Sequence, residues 1–488
     1  MAIEVRKNKN VVYYINSAIV VLLMFLVPQL EPFGMITDAG MKVLGVFLGM
    51  LYGWLTVGFV WPSFLGIIMV GFTGMTTIPN ALSAGFGNIN LVIFSILGFM
   101  YATYLDKCNL TGAIAAFFMT KKFISGKPYV LVGVIFVLAF VLGAMVGIFA
   151  GIFVTWAILY KVIDLCEYEH CTLKVTYLVS MVPFSAVAGM IFIPFHATAI
   201  MYTGLVAEVI GGIVGQSISY INWMIFQLII SALLMLCYLA VGKFIFKFDF
   251  KLMANTEHFA YLKSDKLNFE QKFGLADLIV VIAILLMPEF LPDGKLNEIL
   301  TAFGIGGAFL FGLMLPLIYK GKDGKALTNM KDCMGGVSWD VIWMLIATGP
   351  VSAAMQSADS GIVATLVAAV TNLFGEMHWM MFTLLTALIL GFATQLTHNV
   401  IIAIVLFAPF ATVCQNLGGN PTVWFMVNLW MNMAAFMTPA ASVNSALIFG
   451  NTDWVNPKYA YLTGTIWFII NYVVVCAVAF AIGGVLLG

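Results

Sequence analysis

The sequence predicts an all-α integral membrane protein of about 11 transmembrane helices plus two re-entrant hairpins that open to opposite sides as an inverted repeat. Three observations carry this. The 488 residues are 62% hydrophobic and 9% charged, where soluble proteins carry about 25% charged residues. Apolar runs of spanning length recur from Val11 to the C-terminus in two similar series. Two of those runs are too long for one crossing, and two others are interrupted at a proline.

A mean hydropathy of +1.05 implies one membrane domain with no soluble domain attached. The formal net charge is zero, which gives no footing for nucleic acid or an acidic macromolecular partner. Arg6, Lys7 and Lys9 precede an apolar segment from Val11 to Pro28. No small-x-small cleavage site precedes Glu31, so this segment is expected to be a first transmembrane helix with a cytoplasmic N-terminus. The seven cysteines have no paired CxxC spacing. Cys166 and Cys171 fall in a charged loop expected on the reducing side, and none is read as a metal ligand or disulfide.

A helix needs roughly 20 apolar residues to cross a hydrocarbon core about 30 Å thick. The expected spans are Val12–Val27, Val43–Val57, Phe59–Thr76, Ile89–Leu105, a run Val130–Tyr160, a span Leu173–Gly211 broken near Pro194, and Trp223–Val241. After a polar, Lys-rich stretch come Leu278–Leu291, Ile299–Ile318, Val341–Ala354, a run Trp379–Phe410, a broken span Val423–Phe449, and Thr463–Leu487. This divides the chain into an N-terminal helix (1–40), a first inverted repeat (41–246), a cytoplasmic linker (247–274) and a second inverted repeat (275–488).

The two long runs decide the topology. Val130–Tyr160 would extend about 46 Å as one helix, well beyond the hydrocarbon thickness. Lys121, Lys122 and Lys127 flank it on one side, Lys161 and Lys174 on the other. Basic loops belong in the cytoplasm, so the run is read as a hairpin that enters from there and returns. Trp379–Phe410, preceded by Asp359 and Glu376, then becomes a hairpin entering from the opposite side.

Inverted repeats build a site at mid-membrane from interrupted helices, whose termini and unwound backbone can hold an ion or a carboxylate. The first hairpin turn has Gly143, Gly147 and Gly151 at four-residue spacing. They serve either close helix packing or a bare tip facing a ligand. The second carries Thr394-Gln395-Leu396-Thr397-His398-Asn399, a polar cluster too costly to face lipid. The first broken span reads Pro194-Phe195-His196-Ala197-Thr198 and the second Thr438-Pro439-Ala-Ala-Ser442-Val-Asn444-Ser445. Each places polar groups just past a proline that removes a backbone donor.

Other features read blandly. Gly304-Ile-Gly-Gly lacks the strand and helix context of a dinucleotide site and is assigned to packing. Asp277 and Glu289 fall at expected span ends, within reach of water. No HExxH, Walker loop or GxSxG elbow is present, so the chain is not read as an enzyme.

The layout from about residue 40 to the C-terminus resembles the divalent anion:sodium symporters, the citrate and dicarboxylate transporters of the ion-transporter superfamily. Members carry two opposed hairpins with Ser-Asn-Thr tips and two broken spans with a Pro-rich turn followed by asparagine. Thr397 and Asn399 match the second tip, and Pro439…Asn444-Ser-Ala followed by Ile448-Phe449-Gly450 resembles the second broken span. Ala139-Phe-Val resembles the approach to the first tip. There, however, Gly147-Ile148-Phe149 replaces Ser-Asn-Thr, and His196 stands where asparagine is expected.

The resemblance implies an elevator-type secondary active transporter of a small organic anion, a carboxylate, in the cell inner membrane, working as a homodimer. The substrate-binding residues are expected to be Thr397, His398, Asn399, His196, Thr198, Asn444, Ser445 and Gly147. Thr394, Asn399 and Ser442 are the candidate sodium ligands. The lost Ser-Asn-Thr motif speaks against sodium coupling, and a histidine can carry a proton near neutral pH. Proton coupling, exchange and facilitated diffusion stay open. Phe149, Phe192 and Phe195 suggest a pocket suited to a monocarboxylate or an aromatic anion. No other cofactor is expected. The alternatives are a membrane subunit of a multi-component uptake system and a passive anion channel.

Overall fold

The computed structural model describes residues 2–108, 127–194, 199–215, 218–254, 267–320, 324–395, 399–439 and 441–487. The architecture is all-helical, and seven of the described helices are long and apolar enough to cross a membrane. Helices begin where a side chain can accept the unpaired N–H groups of a first turn. Thr37, Thr77, Thr172, Ser219, Asn420, Ser442 and Asn456 all do this.

The N-terminal helix α1 (Ala2–Leu26) packs on α2 (Asp38–Thr56), which packs on α3 (Val60–Val70). Next come α4 (Ile78–Gly87) and α5 (Phe94–Lys107). The span expected over Phe59–Thr76 is therefore corrected to one short helix, α3, with α4 starting beyond its end. At 11 residues, α3 rises about 17 Å, roughly half the hydrocarbon thickness. It ends at Val70; Gly74 then turns the chain at φ +88°, and Thr77 caps α4 with Pro79 in its first turn.

The first hairpin is α6 (Pro128–Met145) and α7 (Ile148–Leu165), followed by α8 (Leu173–Met190), α9 (Ala199–Val214) and α10 (Tyr220–Ala240). In the second half α11 (Phe269–Leu286) packs on α12 (Lys295–Ile318), and both lie near α5. The short α13 (Met330–Gly335) leads to α14 (Trp339–Gln356), which packs on α3 and α4. A helix not anticipated from sequence, α15 (Ile362–Phe374), precedes the second hairpin, α16 (Trp379–Ala393) and α17 (Asn399–Asn416). The chain closes with α18 (Pro421–Met433), α19 (Val443–Gly450) and α20 (Pro457–Val478).

Helix α20 measures the arrangement of the hairpins. At its start, Trp454 stacks on Tyr160 of α7 at 4.2 Å, and the Asn456 amide bonds the Thr176 hydroxyl of α8 at 3.1 Å. At its far end, Phe480 meets Trp379, the first residue of α16, at 5.8 Å. The base of one hairpin thus lies at one end of α20, and the base of the other lies at the opposite end. The tips run inward: Gly143 backs onto the Ala186 carbonyl deep along α8, and Gly391 backs onto Phe468. The two hairpins enter from opposite faces.

The broken spans follow the same rule. From the Tyr160 face, α8 runs until it stops at Met190. From the other face α18, whose Trp424 bonds Thr386 of α16 at 2.9 Å, runs until it stops at Met433. Lysines gather at the Tyr160 face: Lys174 lies 3.5 Å over the Tyr168 ring and Lys243 5.4 Å from that of Tyr129.

One expectation about charge is overturned. Asp277 does not lie at a span end in reach of water. The helix instead begins at Phe269, which puts Asp277 halfway along α11, only 3% exposed. The capping box of Asn268 and Gln271 sets that early start.

Candidate functional site

The first hairpin divides its three glycines between two jobs. A Cβ on Gly143 or Gly151 would strike the opposite helices at Ala186 and Ala139, so these two let α6, α7 and α8 approach closely. Gly147 is the turn itself, at φ 149° and ψ 160°, a region essentially reserved for glycine. Open space surrounds the position its Cβ would take.

A cavity of 460 Å³ lies at the first break, within the 300–1,000 Å³ range typical of small-molecule sites. Pro194, Trp223 and the early turns of α9, including Ile200, Thr203 and Ala207, line it from one group of helices. Phe94 at the head of α5 and Ile305 of α12 line it from the other. Trp223 is fixed by its indole N–H, which donates to the Ile191 carbonyl at 2.9 Å and so satisfies a group freed where α8 stops. The walls are largely apolar, with Thr203, Ser219 and Tyr220 supplying hydroxyls. Phe195, His196 and Thr198 lie outside the described residues.

Gly304 has a role beyond the packing expected of it. It takes φ 54° and ψ −169° inside α12 and kinks that helix, next to Ile305 at the cavity wall. Gly306, by contrast, does pack, against Phe94.

The second tip and break form a closed polar knot. The Gln395 side-chain carbonyl accepts the Met437 N–H at 2.9 Å, and its amide donates to the carbonyls of Gly391 at 2.9 Å and Ala434 at 3.2 Å. Thr438 donates back to the Gln395 carbonyl at 2.6 Å. The candidate sodium ligand Thr394 donates to the Gly391 carbonyl at 3.0 Å, and Ser442 to the Ala435 carbonyl at 2.8 Å. Ser445 donates to the Thr438 carbonyl at 2.6 Å. The Asn399 carbonyl accepts from Asn432 at 2.8 Å. Thr397 and His398 lie outside the described residues.

The structure therefore brings Thr394, Asn399, Ser442, Asn444 and Ser445 to one junction and sets Gly147 at the other. The Asn444, Asn432 and Asn428 side-chain oxygens are buried there without a hydrogen-bond partner. Asn428 and Asn432 lie one turn apart on the otherwise apolar α18 and were missed from sequence. Their spacing, which places both on one helix face, was the available signal. Glu208 on α9, bonded to Asn88, was missed too, although a carboxylate in an apolar helix is a functional signal by default.

The two junctions touch. Phe436, in the second break, meets Phe184 of α8 at 4.7 Å, and a Cβ on Gly464 of α20 would strike the Phe436 carbonyl. Trp430 donates to Gln227 of α10 at 2.6 Å. Each half thus helps to hold the other's interrupted helix.

No protein-family model matches the sequence, and no curated protein matches it. Among solved structures, the fold is similar to the YdaH transporter of Alcanivorax borkumensis, described as having an unusual topology, with a TM-score of 0.57. The likeness covers 83% of this chain and 88% of that one at 12% identity. At that identity the likeness shows a shared fold.

Proposed function

We propose that this protein is a secondary active transporter of a small organic anion, a carboxylate, and a diverged member of the divalent anion:sodium symporter family. The observation that carries this reading is the 460 Å³ cavity at the break between α8 and α9. Its lining joins two groups of helices, so relative motion of the groups would open it first to one side and then to the other. The first turn of α9 presents a helix N-terminus to it, whose positive dipole end suits a carboxylate. Opposed hairpins and opposed broken spans support an elevator motion, with α6–α9 and α16–α19 carried against α1–α5 and α11–α14.

The apolar walls favour a monocarboxylate or an aromatic anion over citrate. At the second junction the Thr394 and Ser442 hydroxyls donate to carbonyls and keep their oxygen lone pairs; it is the loss of Ser-Asn-Thr at the first tip, where Gly147-Ile148-Phe149 stands, that favours proton coupling. The lysines at the Tyr160 face support a cytoplasmic side there, and the basic start of the chain supports a cytoplasmic N-terminus in an inner membrane. A homodimer is the expected assembly.

The test is thermal stability of the purified protein with benzoate, succinate or citrate, in sodium and in potassium, at mildly acidic and neutral pH. Ligands raise apparent stability by mass action. Stabilisation by benzoate that is indifferent to sodium supports this reading. Stabilisation that requires sodium overturns the coupling. A response to none of the anions favours a subunit of a larger uptake system.

A further inference from the structure

A second buried ionisable group stands apart from both junctions. Asp277 lies halfway along α11, 3% exposed. One carboxylate oxygen accepts the Tyr101 hydroxyl at 3.2 Å; the other has no partner. The Tyr104 hydroxyl lies beside the same carboxyl, is itself fully buried and also lacks a partner. Tyr101 and Tyr104 hold each other with ring centres 5.8 Å apart, and Phe309 of α12 closes over Tyr101 at 5.4 Å. The titratable groups facing this pocket are Tyr101 and Tyr104 of α5 and Cys108 just past its end; the exposed Glu270 of α11 acts on Cys108 from outside. The wall from α12 offers Phe309 and Gly312. The nearby Lys107 is engaged outward with Asp332 of α13 at 2.5 Å. Among the described residues, no cation pairs with Asp277.

A bare carboxylate in an apolar interior is costly without a cation or a full set of hydrogen bonds. Here it receives one hydrogen bond. The geometry points to a proton as the missing partner, bound on the unpaired oxygen beside the orphaned Tyr104 hydroxyl.

The position gives that proton a task. Tyr101 lines a narrow slot with Gly98, Leu278 and Val281 on one side and Ala144, Met145 and Ile193 on the other. The second wall is the tip of the first hairpin and the start of the first break. We propose that Asp277 is a proton-binding site: it is neutral while the hairpin tip packs over Tyr101, and it exchanges its proton with water when the tip moves away and the slot widens. The coupling proton enters as H⁺ from water on one side, converts carboxylate to carboxylic acid, and leaves as H⁺ to the other. This rests on the transporter reading for its coupling role, but the titration itself does not.

Two readouts on the full-length protein separate these. Infrared difference spectra in lipid between mildly acidic and mildly alkaline buffer should contain a buried carboxylic-acid C=O band. The band should be absent from Asp277→Asn and retained in Asp332→Asn. Benzoate uptake into proteoliposomes should be stimulated by an inward proton gradient in the wild type and lose that stimulation in Asp277→Asn. A band that persists in Asp277→Asn, or proton stimulation that survives it, overturns the proposal. If the wild type takes up no carboxylate, the transporter reading falls, and the infrared band alone decides whether Asp277 titrates. Should Asp277→Asn fail to fold, Tyr101→Phe removes the one hydrogen bond and keeps the ring. It should move the band's midpoint along the pH axis, and an unmoved midpoint counts against the site.

Discussion

The side-chain carbonyl of Gln395 accepts the backbone N–H of Met437 at 2.9 Å, joining the tip of the second hairpin to the break of the second interrupted span. The same side chain donates to Ala434. One residue thus satisfies the Ala434 carbonyl, which the end of α18 leaves open, and the Met437 N–H in the break that follows.

Gln395→Ala leaves the Met437 N–H and the Ala434 carbonyl unpaired. A buried unsatisfied group costs on the order of 1–3 kcal/mol, so the variant should melt well below wild type and bind carboxylate weakly. Thermal unfolding with and without benzoate checks both. Wild-type stability would remove the knot from the account.

Gly147→Ala should cost on the order of 1–3 kcal/mol from backbone strain alone, because nothing stands where its Cβ would go. Gly143→Ala should also destabilise, through collision with the Ala186 carbonyl. The atoms that Gly143→Ala strikes are all backbone, so trimming the Ala186 side chain gives no relief, and Gly143→Ala should melt below Gly147→Ala. Melting curves of the two variants decide.

Ala207→Phe projects a ring into the cavity beside Pro194 and Trp223. Folding should survive, since the site is open, while benzoate-induced stabilisation and uptake fall at least tenfold, the effect of about 1.4 kcal/mol lost in binding. Retained binding would place the substrate elsewhere.

The Lys107 ammonium beside Asp332 holds that carboxyl below the usual carboxylate range. A depressed folded value means that the pair's contribution is present above the unfolded pKa, about 3.9, and is lost as pH falls through the lower folded value. Because the pair is half exposed, Asp332→Asn should shift melting little, and by a constant amount from about pH 5 to pH 8. A pH-dependent difference in that window would implicate Asp332 in the response assigned to Asp277.

Much of this architecture was legible in the sequence because membrane length rules are strict. A run from Val130 to Tyr160 cannot cross once, and Pro194 and Pro439 announce interruptions. The short helices α3 and α4 were hidden because hydropathy stays high through the turn. Gly71-Phe-Thr-Gly74 followed by Thr77-Ile-Pro79 was the local signal. Asp277 was misplaced by a span boundary read from apolar residues alone, when Asn268 and Gln271 start the helix well before Leu278. Gln395 was visible as part of a polar cluster. That it ties two breaks together depends on contacts between residues distant in sequence, and no local pattern carries those.

The most direct test of the central claim is uptake of labelled benzoate into proteoliposomes, wild type beside Ala207→Phe, with an inward proton gradient imposed and then abolished. The account predicts accumulation above the external concentration that needs the gradient and that Ala207→Phe abolishes. Uptake that merely equilibrates at channel-like rates, or that Ala207→Phe leaves untouched, would contradict it.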